Sequence, residues 1–284
     1  MRYDPRCKKC LLSRVLYEAE LANASLSLKK SLIESSAKKI DELARSPIIN
    51  PVLASIIHRH VYREVGCDDP YNTLKKESNK IAKKVLDVVS PSLQSFHDYV
   101  LASVIGNLFD YGVRGHEVSK DFLGTFNREY SRGLTIDDTE EILLHSHRIV
   151  YFTDNCGEIV FDALVLRYLH DQGSHITLVL RDKPILNDAT LEDAVALGLG
   201  KFTDIITTTG SGCELGLNLS IVPEELKRLI SDASLIISKG MANYESLTEY
   251  TDLPPVAYMM AVKCEPIAKL AGVPKGSKIA ALQN

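Results

Sequence analysis

No stretch of this sequence approaches the roughly 18 consecutive apolar residues that mark a membrane-spanning helix. The opening residues, Met1-Arg2-Tyr3-Asp4-Pro5-Arg6, lead into no apolar core of a secretion signal. Basic residues are not in excess: Lys and Arg number 33 against 37 Asp and Glu, for a formal net charge of -4. General nucleic-acid binding draws on a basic surface, so that class is disfavoured. Six cysteines in 284 residues are too few for a disulfide framework. Internal repeats, low-complexity tracts and a Pro/Gly/Ser-rich linker are also missing. These absences predict a cytoplasmic protein with reduced thiols, no membrane segment and no nucleic-acid partner.

What is present is ordinary for a globular chain: 45% hydrophobic and 25% charged residues. The first part reads as helical. Ile33, Ala37, Ile40 and Ala44 recur at helical spacing before Pro47. Leu53, Ile57 and Val61 form a second stripe before Gly66. Ile81, Val85 and Val88 form a third, and Phe96, Val100, Val104 and Leu108 a fourth that Gly112 ends. A short helix is expected within 117–130, and no strand before about residue 147. The pattern then changes to short apolar runs at Ile149–Phe152, Ile176–Leu180, Asp204–Thr208, Leu235–Ile237, Val256–Met260 and Ile279–Leu282. Helical segments at about 158–171, 190–198, 223–231, 243–250 and 266–272 lie between them. Apolar strands alternating with helices imply a mostly parallel sheet covered on both faces. The fold class is therefore α/β, with a mostly helical N-terminal region (1–140) followed by an α/β domain (141–284).

Ligands of open parallel sheets bind beyond the carboxyl ends of the strands. The first exit is Thr153-Asp154-Asn155-Cys156-Gly157-Glu158, and the second contains Asp182, Asn187 and Asp188. Asp154, Asn155 and Asp188 offer the oxygen donors that hard divalent cations prefer. Gly157 permits close backbone approach, and the helix after it favours an anion. Lys239 and Lys263, at later exits, are placed to neutralise phosphate. On position alone Asp154-Asn155 reads equally well as a turn and helix cap. Gly210-Ser211-Gly212 reads as an ordinary loop, since no complete phosphate-loop or dinucleotide motif surrounds it.

Several short segments, taken in order, resemble the DUF89 family of damage-control phosphatases, in its microbial branch with an N-terminal CxxC. They are Cys7-Lys8-Lys9-Cys10, Asp69-Pro70-Tyr71 with Lys75 and Asn79, and Gly106-Asn107-Leu108-Phe109-Asp110. Asp154-Asn155-Cys156-Gly157-Glu158, Pro184–Thr190, Lys239-Gly240 through Asn243-Tyr244-Glu245, and Val262–Pro266 complete the set. The resemblance implies a Rossmann-like domain and a metal-dependent phosphatase acting on small phosphorylated metabolites, such as sugar phosphates or damaged phosphometabolites. It implies metal ligation by Asp154, Asn155 and Asp188, with Mn²⁺, Mg²⁺, Co²⁺ or Ni²⁺ as the cofactor. It places Lys263 on the substrate phosphate and Asn243 in the same pocket. Asn107, Glu158 and Lys239 are further expected substrate-binding residues. Asp154 and Lys263 are the expected catalytic pair. Asp154 as a nucleophile is disfavoured, because the usual motif carries a second Asp where Cys156 stands.

Cys7 and Cys10, with Cys67 as a third ligand, are read as a structural metal site or thiol pair. Cys156 is read as a small packing residue. His58, His60, His97, His145 and His147 are read as structural or surface histidines, and Lys75–Lys84 as a solvated helix face. Two other readings compete: an S-adenosylmethionine-dependent methyltransferase, with Asp182 as its acidic residue, and a non-catalytic phosphometabolite-binding protein.

Overall fold

The computed structural model describes residues 1–108 and 121–284. Phe109, Asp110, Gly112 and the first part of the expected 117–130 helix lie outside the described residues.

Among the described residues six α-helices come first: α1 (Cys7–Leu21), α2 (Leu26–Leu43), α3 (Asn50–Val65), α4 (Asn72–Val89), α5 (Phe96–Gly106) and α6 (Phe122–Ser131). Local chemistry sets several of their ends. Pro51 opens α3 and Gly66, in the left-handed conformation, closes it. Ser95 and Asp98 form a reciprocal capping box at the start of α5. The apolar stripe of α4 is Ala82, Val85 and Val89, whereas the expected Val88 is 60% exposed. The register differs because α4 packs on a later helix, α8 (Glu158–Asp171), through the Ala82 face.

The remaining elements are β1 (Ile136–Asp137), α7 (Thr139–Leu144), β2 (Arg148–Phe152), α8 (Glu158–Asp171), β3 (His175–Leu180) and α9 (Leu191–Ala196). They continue through β4 (Ile205–Thr208), α10 (Glu224–Ser231), β5 (Leu235–Lys239), α11 (Gly240–Leu247), β6 (Val256–Ala261), α12 (Glu265–Ala271) and β7 (Lys278–Gln283). The strands form one sheet in the order β1-β7-β6-β5-β2-β3-β4. Neighbours are parallel except β6 and β7, which are antiparallel. The fold is thus α/β with a mostly parallel sheet. The two-residue β1 precedes the region where strands are expected, and it carries too few residues for a period-two pattern.

Alternating side chains serve the two faces of the sheet. Ile149 and Tyr151 enter one core, Val150 and Phe152 the other. The first core also takes Phe96, Val100 and Val104 of α5, so the packing runs across residue 140 rather than stopping there. Helices α1–α3 build a separate core that reaches Ile185, Leu186 and Leu215, in the loops following β3 and β4. These three helices therefore sit against the loops that leave the sheet. Among the described residues no helix is long and apolar enough to cross a membrane.

Candidate functional site

The chain leaves β2 toward β3 and β4 on one side, and β5 and β6 build the other side. The crevice at such a switch point is where open α/β sheets bind ligands. Two loops are stitched together there. Cys156 donates its N–H to the Asn187 carbonyl and Ala189 donates to the Asp154 carbonyl, each at 2.8 Å. The resulting Asn155–Asp188 bridge brings the exits of β2 and β3 side by side. Asp154, Asn155 and Asp188 line one cavity of about 260 Å³, together with Asn107 and Lys263.

Asp154 is tightly framed. Its Oδ2 accepts the Asn155 amide at 2.6 Å and the Asn107 amide at 2.9 Å. Gly240, at φ 75°, passes so close that a Cβ there would collide with the Asp154 carboxylate. Burial, followed by the neighbouring charges of Asp188 and Glu158, holds the Asp154 carboxyl well above the usual range against the pull of Lys263 and Arg181. Asp188 accepts from Arg181 Nε at 2.7 Å. The guanidinium also reaches the Gly216 carbonyl and, at 2.9 Å, Asn243 Oδ1.

Three of the expected substrate-binding residues are engaged in buried contacts in this structure. Lys239 is fully buried, with its ammonium 2.6 Å from Glu158 Oε1 and 2.7 Å from Asp162 Oδ1. It also donates to Ser103. Its charge is met inside by those two carboxylates. Glu158, equally buried, holds Lys239 and accepts the Asn107 amide at 2.6 Å. Asn243 spans the carbonyls of Thr153 and Lys239, at 3.0 and 2.8 Å, and is fully buried. None of the three lines the cavity. The turn amides expected to meet an anion are also engaged: Gly157 donates to Asn79 Oδ1 at 2.6 Å and Cys156 to Asn187.

That contact corrects the reading of α4 as a solvated face. Asn79 reaches both Gly157 and Asp193, and Lys75 is buried against Asp69 at 2.7 Å. Lysine-rich sequence around both residues hides them. Cys156 is fully buried in the sheet core, with its thiol held well above the usual range by burial. Asp182, the acidic residue a methyltransferase would need, accepts from Thr208 and the Gly212 amide at 3.2 and 2.9 Å. It ties the Gly210–Gly212 loop to the exit of β3.

Among the described residues no three His, Cys, Asp or Glu side chains are grouped to hold a metal, so Cys7, Cys10 and Cys67 form no such site. Cys67 follows the end of α3, whereas Cys7 and Cys10 line the cavity wall with Cys264 as free thiols. Arg181 is the residue that the sequence reading passed over; its only signal was a lone basic residue at the end of an apolar strand. Leu186 is another. It adopts φ 47°, rare for a non-glycine residue, with its N–H on the Tyr62 hydroxyl at 2.9 Å. Such a conformation costs about 1–3 kcal/mol and persists where surrounding contacts impose it.

The comparisons agree with this architecture. A protein named damage-control phosphatase from Archaeoglobus fulgidus is 40% identical over 286 residues, covering 99% of each chain. An uncharacterized protein of Methanocaldococcus jannaschii is 33% identical over 294 residues, covering 98% of this chain and 95% of its own. The crystal structure of a DUF89 family protein from Pyrococcus horikoshii matches with a TM-score of 0.91 at 28% identity, over 100% of both chains. The family model of the damage-control phosphatase ARMT1-like domain spans residues 3–279. With that model covering nearly the whole chain and the fold matching end to end, the protein belongs to the damage-control phosphatase ARMT1-like (DUF89) family.

Proposed function

We propose that this phosphatase hydrolyses phosphate monoesters of small metabolites, with a divalent cation held by Asp154, Asn155 and Asp188 and the substrate phosphate met by Lys263. The observation that carries the reading is the pairing of two buried carboxylates, Asp154 and Asp188, on a cavity wall they share with Lys263. Two carboxylates with an amide oxygen from Asn155 make a hard, all-oxygen donor set, which suits Mg²⁺ or Mn²⁺. Like charges buried together call for a cation, and Arg181 and Lys263 are the basic groups that pull on Asp154.

When bound, the cation supplies Lewis-acid polarisation of a phosphoryl oxygen and a lowered pKa for water. The chain's own residues do the rest. Arg181 fixes the Asp188 carboxylate, and Asn107 fixes Asp154. Lys263 adds positive charge where the phosphoryl oxygens gain charge in the transition state. Asp154 and Asp188 are themselves buried, and in such an environment their electrostatic interactions are stronger than in water. Cys156, buried and held protonated, offers no second carboxylate for an aspartyl-phosphate route, which favours direct attack by water.

The test is a phosphate-release screen of metals against small phosphate monoesters, run with Asp154→Ala and Asp188→Ala. Both variants are expected to lose metal-dependent release while keeping the far-UV spectrum. Activity retained in either one overturns the assignment.

A further inference from the structure

Helix α11 begins at Gly240, hard against the Asp154 carboxylate, and carries Met241, Ala242 and Glu245 along the wall of the cavity. Glu245 stands about 7.5 Å along the helix axis from Gly240, and its Cα–Cβ bond tilts back toward the helix start. Its side chain is buried, but its two oxygens are used differently. Oε2 accepts the Asn50 amide of the facing helix α3 at 2.8 Å. Among the described residues Oε1 accepts no hydrogen bond, and it is not one of the unpartnered polar atoms sealed from solvent. One oxygen is therefore anchored, and the other opens on the cavity that Asp154, Asp188 and Lys263 also line.

We propose that Glu245 is the general acid of the reaction, donating from Oε1 to the leaving-group oxygen. The proposal rests on the phosphatase reading above and adds the proton donor that such a reaction needs. The alkoxide of a metabolite ester is a poor leaving group, so its oxygen gains from a proton as the bond breaks. Asp154 and Asp188 are assigned to a cation and Lys263 to the phosphate, which leaves Glu245 as the carboxyl on this wall with that task to fill. Water adds to phosphorus, the electron pair of the ester P–O bond passes to the leaving oxygen, and that oxygen takes the Glu245 proton. The product phosphate holds both protons of the water and returns one to Glu245 through solvent.

The surroundings of Glu245 suit the role. Burial lifts its carboxyl from 4.5 to about 7, against the Asn50 amide, the Met1 amine and Arg14. An acid poised near neutral pH holds its proton before the step and releases it during the step. Two thiols also face it, Cys7 on α1 and Cys264 at the start of α12. Burial holds both above the usual range, Cys7 at about 12, so they stay protonated and add no charge beside it. The Met1 amine and Arg14 are cations that favour the carboxylate once the proton has gone.

The experiment compares glycerol phosphate and ethyl phosphate with trifluoroethyl phosphate. The last is close to ethyl phosphate in size, but its alkoxide leaves far more readily. In Glu245→Gln, kcat for the first two is expected to fall about a hundredfold or more, and for trifluoroethyl phosphate less than about tenfold. Wild-type activity on the first two should fall as pH rises through about 7, and Glu245→Gln should lack that limb. Asn50→Ala removes an amide that opposes the raised carboxyl, so it should move the limb to higher pH. Thermal unfolding checks folding, and carbon NMR of the Glu245 carboxyl follows its ionisation without turnover. An equal loss on all three esters, no loss on any, or a carboxyl that ionises below about pH 5 overturns the acid while leaving the phosphatase reading intact. Wild type that releases phosphate from none of the three with any cation overturns the phosphatase reading, and the acid falls with it.

Discussion

Asn107, at the end of α5, donates its side-chain amide to Asp154 Oδ2 at 2.9 Å, although 47 positions separate them in the chain. The same amide reaches Glu158 at 2.6 Å, so one nitrogen bridges two buried carboxylates. Asn107→Ala removes that donor from both. Groups behind a metal-binding residue typically cost ten- to a hundredfold in activity or metal affinity when lost. Phosphate release is expected to fall by about that factor, and a metal titration should show a weaker midpoint. Unchanged values would mean that Asp154 needs no such support.

Lys239 is the positive centre of a buried cluster with Glu158 and Asp162, to which Tyr151 also donates at 2.8 Å. Lys239→Met leaves two carboxylates without a counter-charge in the interior. Breaking a buried pair in this way destabilises by about 3–5 kcal/mol. Urea unfolding should show the loss. Adding Asp162→Asn and Glu158→Gln should restore part of it, because the orphaned charges are then removed too.

Gly240→Ala tests a steric requirement. The new Cβ would strike the Asp154 carboxylate, and the positive φ adds about 1–2 kcal/mol of strain. Phosphate release is expected to fall more than about tenfold while circular dichroism keeps its shape. The reverse outcome, normal activity, would show that the α11 turn can move aside at no cost.

Glu245 predicts a pH effect. Burial raises its carboxyl from 4.5 to about 7, opposed by the Asn50 amide and nearby positive charge. The unfolded chain ionises this group near 4.5, so between the two values the folded state binds more protons. Its stabilising contribution is full below about 4.5 and is lost as pH rises through about 7. Glu245→Gln should therefore flatten the decline in the urea midpoint between pH 5 and pH 8. A wild-type midpoint that rises across that range, and does so less in the variant, would contradict the assignment.

Much of the fold was legible because periodicity survives in sequence. β2, β3 and β5 are short apolar runs, and the strand-exit rule places Asp154, Asp188 and Lys263 at one end of the sheet. The α4 stripe was misplaced by one residue because both faces carry apolar side chains, and only contact with α8 selects Ala82 over Val88. Arg181 was missed, and Asn79, named only within a resembling segment, was given no role, for a related reason. Each is a single polar residue whose role depends on partners far along the chain, Asn243 for one and Gly157 for the other.

Local order along the chain was enough to specify an α/β protein, the loops that meet above its sheet and the donor types on those loops. Those properties depend on neighbours a few residues apart, which a sequence displays directly. Whether a charged side chain faces the ligand or the interior depends on groups brought together by folding. Tertiary packing turned Lys239 and Glu158 inward as a buried pair, kept Lys263 at the cavity wall and set His58 against Glu18 beside it. Burial makes an unpaired charge costly, so the partners available in the folded chain decide where each one can stand.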